Sequence, residues 1–129
     1  MAKRMKEKSA KRLETRDTRP TATARYVRMG APKAKRLLDL IKNKSAVEAC
    51  AILDITPSTA SIVVKKVLCS AMANAENNHG MNVEDLYVAE IYSNAGPMLK
   101  RIRARAQGRA FRILKRTSHI TLVLKEMED

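Results

Sequence analysis

The basic side chains of this chain are gathered into two blocks. Residues 1–36 hold thirteen Lys and Arg against three Asp and Glu, and residues 93–116 hold eight with no acid at all. The remainder carries five basic and ten acidic groups. A mildly acidic body (−5) thus bears two cationic segments (+10 and +8), which together set the net charge of +13. Groups charged this densely cannot be buried unpaired, and they repel one another when free. The fold must therefore hold both segments outside its core. Two separate cationic surfaces on one small chain are two places to meet phosphate.

What lies between the blocks is enough for one modest core. The chain has 129 residues, 45% of them hydrophobic, and only 3% are aromatic, so Leu, Ile, Val, Met and Ala must fill the interior. Residues 1–20 have little apolar content and no strong period, and they read as a disordered or extended tail, part of which forms a helix on RNA. Residues 22–29 alternate as a short strand, and Gly30-Ala31-Pro32 breaks it. A helix over 33–42 follows, with Ala34, Leu37, Leu38 and Ile41 on one face and Asn43 as a left-handed stop. Ser45 and Glu48 have capping-box spacing and open a second helix through Ile55, with Val47, Cys50, Ala51 and Leu53 or Ile55 inward. Thr56 caps a third, with Pro57 at its first position and Gly80 past its end. Its inward positions are Ala60, Val63, Val64, Val67, Leu68, Ala71 and Ala75. The period then shortens to two, giving strands over 86–92 and 119–124. The basic stretch between them, about residues 93–118, is too long for an idle loop. It reads as a hairpin whose arms of about twelve residues project on the order of 30–40 Å.

Several functions are disfavoured by what the sequence contains. No apolar run approaches the length that spans a bilayer, and no apolar stretch follows the charged N-terminus, so a cytoplasmic protein is expected. Cys50 and Cys69 sit in helical patterns and read as small buried residues, with a disulfide or reactive thiol as the sharper alternative. His79 and His119 have no ligand cluster around them, so no metal is expected. There is no phosphate loop, nucleophile motif or acid/base pair, so neither catalytic residues nor a cofactor are assigned. Asn74, Asn77, Asn78 and His79 crowd the end of the third helix and read as capping groups, with RNA contact as the alternative.

Three ordered blocks carry a resemblance to a known family: ATARYVR with PKAKRLLDLI, then KVLCSAMANAENNHG, then GPMLKRIRARAQGRAFRILKRTSHITLVL. In the third, Lys100, Arg105, Ala106, Gly108, Arg109, His119 and the alternating apolar residues after it fall at family spacing. The chain resembles the bacterial-type ribosomal protein L22 family of the large subunit over residues 22–124. It departs where the family often has proline, here Ala104, and glycine, here Asn43. The resemblance implies an α+β fold with three helices packed on a small antiparallel sheet and a long protruding basic β-hairpin. Residues 1–21 would be an extension, disordered off the ribosome, and residues 22–129 one domain. It implies a non-enzymatic constituent that binds several domains of large-subunit (23S) rRNA and assists assembly. Its partners would be neighbouring ribosomal proteins and, at the hairpin tip, the nascent peptide in the exit tunnel.

The residues expected on RNA are Arg25, Arg28, Lys33 and Arg36 near the first strand and helix, and Lys100, Arg101, Arg103, Arg105, Arg109, Arg112, Lys115 and Arg116 in the hairpin. Arg predominates in the hairpin. Its planar fork holds two phosphate oxygens and stacks on bases, which suits irregular folded RNA. Met98, Leu99, Lys100, Arg101 and Ile102 are expected at the tip that lines the tunnel. The tail cations Lys3, Arg4, Lys6, Lys8, Lys11 and Arg12 are either an RNA arm or a solubilising tail. A DNA-bending protein with β-arms is the rival reading, with Met98, Leu99 or Ile102 as wedges, but no dimer surface is evident and a monomer is expected. A membrane-surface protein would need a basic amphipathic helix, which the hairpin segment does not encode.

Overall fold

A computed structural model describes residues 2–127, so Met1 and the last two residues of the expected 22–129 domain lie outside it. The element order is α1 (Ala2–Glu14), β1 (Thr21–Val27), α2 (Ala31–Ile41), α3 (Ala46–Ile55), α4 (Thr59–His79), a 3-10 turn, β2 (Leu86–Ala95), β3 (Leu99–Ala104), β4 (Ala110–Lys115) and β5 (Ser118–Glu126). The fold is α+β, with four helices among the described residues where three were expected. The extra one is α1, in the tail read as disordered or extended. Lys, Arg, Glu, Met and Ala are all strong helix formers, so local propensity suffices without an apolar face. The exposed Met5 and Leu13 pack against nothing in the core.

The main sheet has the order β1-β5-β2, with β5 central and antiparallel to both neighbours. Ile120, Leu122 and Leu124 of β5 alternate onto the face that α2 and α4 cover, and all three are fully buried. On β2, Leu86 and Val88 point inward. A register shift between Val88 and Glu90 then changes the parity, so that Ile91 and Ser93 follow on that face. Leu38 and Ile41 of α2 and Val64 and Leu68 of α4 complete the core. At about 1.5–3 kcal/mol per buried aliphatic side chain, these residues supply most of the driving force for folding.

The helices form largely where their stop signals place them. Asn43 takes a left-handed φ of 60°, a conformation that asparagine tolerates better than most residues other than glycine. Ser45 caps α3, accepting from the Glu48 N–H at 3.2 Å, and Gly80 ends α4 at φ 64°. Two expectations need correction. Helix α4 is capped by Ser58 and starts at Thr59, so Pro57 lies before the cap and Thr56 instead closes α3. The buried face of α3 is Ala46, Ala49 and Leu53, while Val47, Ala51 and Ile55 are exposed and Cys50 is half-buried. This helix is apolar nearly all round, so periodicity alone does not select its inward face. Cys69 is likewise exposed, not buried.

The chain joins the body at its Arg19–Thr21 stretch. Pro20 is buried and its carbonyl accepts from Leu124 N–H at 2.9 Å, while Arg19 bridges Asp17 and Glu90 at 2.6 and 2.7 Å. Asn74 donates to the Thr21 carbonyl at 2.9 Å, which ties α4 to the edge strand and gives this asparagine a structural task.

Candidate nucleic-acid interface

Strands β3 and β4 pair only with each other, and every residue in both is exposed. Six residues at about 3.4 Å each make a ribbon of about 20 Å beyond the main sheet. That is shorter than the 30–40 Å expected, because Ser93, Asn94 and Ala95 still pair with Ile120, His119 and Ser118 inside the main sheet. The register is Leu99–Lys115, Lys100–Leu114, Arg101–Ile113, Ile102–Arg112, Arg103–Phe111 and Ala104–Ala110. Opposite residues share a face, so five successive rungs each set one cation beside one apolar side chain. No two cations stand directly opposite, which removes the cross-strand repulsion that the dense charge suggested. Both faces of the ribbon therefore offer positive charge together with an apolar surface. Phe111 is 57% and Ile102 75% exposed.

The ribbon closes at residues 105–109. Arg105 N–H donates to the Arg109 carbonyl at 2.8 Å, and Gln107 and Gly108 both take left-handed φ, 59° and 67°. Positive φ at adjacent central residues suits the right-handed twist of paired strands. This relocates the tip. Leu99 pairs with Lys115 at the root, so Met98, Leu99, Lys100, Arg101 and Ile102 lie at and beyond the root, and the turn is formed by Arg105, Ala106, Gln107, Gly108 and Arg109. The Gly96-Pro97 break and the Gln107-Gly108 pair were both present in the sequence. The stretch 98–102, expected at the tip, has no turn residues. Ala104 is the last paired residue before the turn, a position at which it continues the strand.

The root is a built joint. Gly96 N–H donates to the Thr117 carbonyl at 2.9 Å, and Thr117 Oγ1 donates to the Pro97 carbonyl at 2.6 Å. A Cβ on Gly96 would stand 2.5 Å from Thr117 Oγ1 and 3.2 Å from His119 Nε2, so only glycine fits. Beside it, β1 bulges between Ala24 and Val27. Tyr26 sits there at φ 56°, its N–H donates to His119 Nδ1 at 3.0 Å, and the two rings meet edge to face at 4.8 Å. A bulky residue in left-handed conformation is strained, and the imidazole contact offsets part of that cost. Because Nδ1 accepts, the ring proton of neutral His119 is on Nε2. The sequence places His119 at family spacing and Tyr26 in the first strand, but gives no sign that the two meet. Their partnership depends on the β1–β5 pairing.

This joint brings the two basic segments together. Ser93 Oγ donates to the Ala31 carbonyl at 2.9 Å, and Arg116 Cδ lies 3.8 Å from where a Cβ on Gly30 would stand. The start of α2 therefore rests against the root of the ribbon. Arg25, Arg28, Lys33 and Arg36 are all exposed around this corner, and Arg116 donates to Met98 Sδ at 3.5 Å across the root. Lys100, Arg101, Arg103, Arg112 and Lys115 line the ribbon, and Arg105 and Arg109 flank its turn. None of these expected RNA-binding cations has a carboxylate salt-bridge partner among the described residues, whereas Arg19, Lys44 and Lys65 each do. Unneutralised cations beside exposed apolar groups can hold phosphates and stack on bases at once. No cluster of three or more metal-ligating side chains occurs among the described residues, and none of their helices is long and apolar enough to cross a membrane.

The family model for ribosomal protein L22p/L17e matches residues 22–125. A large ribosomal subunit protein uL22 from Caldicellulosiruptor saccharolyticus is 61% identical over 84% of this chain and 88% of its own length. Those of Clostridium novyi and Agathobacter rectalis are 58% and 55% identical, covering 81% and 89% of this chain and 95% and 90% of theirs.

Proposed function

The chain belongs to the ribosomal protein L22p/L17e family, and from that membership we propose that its two basic segments form one continuous surface for large-subunit rRNA. It is a structural component of the large ribosomal subunit, working in translation, and not an enzyme; its place is the ribosome in the cytoplasm. The observation that carries the RNA surface is the convergence at the ribbon root, where Arg116 of one segment rests on Gly30 of the other. Cations from α2, β1 and both ribbon strands then face outward from one end of the body. That arrangement suits several strands of folded RNA better than one straight helix groove.

The ribbon is too small to be stable alone, since a two-stranded ribbon without an apolar backing is marginal in water. It orders fully on RNA during subunit assembly. Its turn, residues 105–109, is the part that reaches the exit tunnel and meets the nascent peptide. Helix α1 (Ala2–Glu14) frays in the free chain, since thirteen residues of good propensity make only a marginal helix without packing, and it is held on RNA. The free protein is a monomer, and neighbouring ribosomal proteins complete its surroundings in the subunit.

The experiment is binding of the full chain to large-subunit rRNA over a range of salt, with duplex DNA as competitor. Replacing Arg109, Arg112 and Arg116 together by Gln is expected to weaken binding and lower the salt slope by roughly 2, since each phosphate contact contributes about 0.7–0.9 to it. A slope identical to that of the wild type, or equal affinity for duplex DNA, would refute the proposal.

A further inference from the structure

The α3–α4 pair carries two thiols that the RNA surface leaves unused. Only residues 56–58 separate the two helices, so α4 turns back along α3. Asp54 and Lys65 fix how they align, with Lys65 Nζ donating to Asp54 Oδ1 at 2.5 Å. Four residues back along α3 is Cys50, and four residues forward along α4 is Cys69. A step of four keeps a side chain on the same face of a helix, so the two cysteines form the next rung above the ion pair. A second observation agrees: Cys69 borders the same groove as Leu53 and Asp54 of α3. Most of the buried face of α3 is alanine, Ala46 and Ala49, which lets the helix lie close to its neighbours. A disulfide needs such closeness, with Cα atoms about 4.4–6.8 Å apart.

We propose that Cys50 and Cys69 are a redox site, closed to an intramolecular disulfide by hydrogen peroxide and reopened by small thiols, which latches α3 to α4. The two cysteines have different tasks. Cys69 is exposed and meets the oxidant first. Its thiolate attacks one peroxide oxygen, the O–O bond breaks, and the departing hydroxide leaves as water after taking a proton. Cys69 is then a sulfenic acid. Cys50 is half-buried, and burial together with the neighbouring sulfur pushes its thiol up, so it stays protonated and waits. Its sulfur attacks the Cys69 sulfur, the S–O bond breaks, and a second water carries away the Cys50 proton. Two thiols are oxidised by two electrons, and one peroxide is reduced to two waters. The Lys65 ammonium favours the Cys50 thiolate as it forms.

The test treats the full chain, dilute and without reductant, with hydrogen peroxide. Remaining thiols are alkylated in denaturant, and the product is weighed and mapped. The expected product is a monomer lighter by two hydrogens, with neither cysteine alkylated, a single peptide pair linked through Cys50 and Cys69, and full reversal by dithiothreitol. Closure should run roughly tenfold faster in the folded chain than in urea, since the fold supplies the effective concentration. Cys50→Ser should leave a sulfenic acid on Cys69 that dimedone captures, and Cys69→Ser should leave Cys50 unoxidised at the same dose. The proposal is overturned by a wild-type product that is mainly a disulfide-linked dimer. It is equally overturned by two alkylatable cysteines after peroxide, or by equal closure rates in buffer and urea.

Discussion

Gly96 and Gly108 both serve the ribbon, for different physical reasons. Gly96 has an ordinary backbone, but a Cβ there would strike Thr117 Oγ1 at 2.5 Å, whereas Gly108 has open space around it and a φ of 67°. Gly96→Ala must therefore push apart the hydrogen-bonded joint, at about 1–3 kcal/mol, while Gly108→Ala strains only the turn, by about 1–2 kcal/mol. Urea unfolding of the full chain should show a clearly lower midpoint for Gly96→Ala. It should show little change for Gly108→Ala, whose strain falls on an element outside the core. Equal midpoints would mean that the joint is not part of the cooperative unit. The reason for Gly96 is Thr117, which chain folding brings opposite and no local pattern announces. A second residue-scale test concerns Asp17. The Arg19 guanidinium, hydrogen-bonded to it, holds its carboxyl at about 2, below the ordinary 3.8. A depressed folded value means the contact favours the folded chain above about pH 4 and is lost as pH falls toward 2. Both groups are solvent-exposed, so the effect on stability is slight, and the carboxyl itself is the better probe. Its carbon-13 shift should titrate near 2, and Arg19→Gln should raise that midpoint part of the way toward 3.8, because the residue-19 backbone N–H still donates to the carboxylate at 3.0 Å. A native midpoint near 3.8 would show that the clamp does not form in solution.

Elements differ in how well their sequences announced them. Helix α2 and the inward positions of α4 were legible because their apolar residues form one clean stripe, and Leu38, Ile41, Val64 and Leu68 are all buried as read. Helix α3 was not, because a helix apolar on most sides takes its orientation from its neighbours. Helix α1 was missed because the reading asked for an apolar face, and this segment has propensity without one. The ribbon's location followed from its charge, but its rung pattern did not, since register depends on where the turn falls. That pattern makes a testable division of labour. Arg103 and Phe111 occupy the same rung. Arg103→Gln should reduce the salt slope of rRNA binding by about 0.7–0.9. Phe111→Ala should weaken binding by about 1–3 kcal/mol through lost stacking and leave the slope unchanged. A slope that drops with Phe111→Ala instead would show that its loss dislodges the neighbouring cations, and that the two side chains do not act separately.

At the scale of the whole molecule, the sequence showed two cationic segments, and the fold sets the start of α2 against the root of the ribbon. Their meeting required β1 to pair beside β5 and β2 to carry the chain back past the start of α2, neither of which local patterns encode. The body and the ribbon turn should therefore separate in function. Shortening residues 105–109 to a two-residue Asn-Gly turn should leave subunit incorporation near normal, because most cations remain, while changing sensitivity to drugs that lodge in the exit tunnel. Lost incorporation with normal drug sensitivity would reverse those roles. The joined surface itself is tested most directly by ultraviolet cross-linking of the chain to rRNA in intact large subunits, followed by mapping of the cross-linked peptides. Cross-links concentrated in residues 25–36 and 99–116, with few on the outer face of α3 and α4, are the predicted result. Cross-links confined to the α3–α4 face, with none in the ribbon, would contradict it.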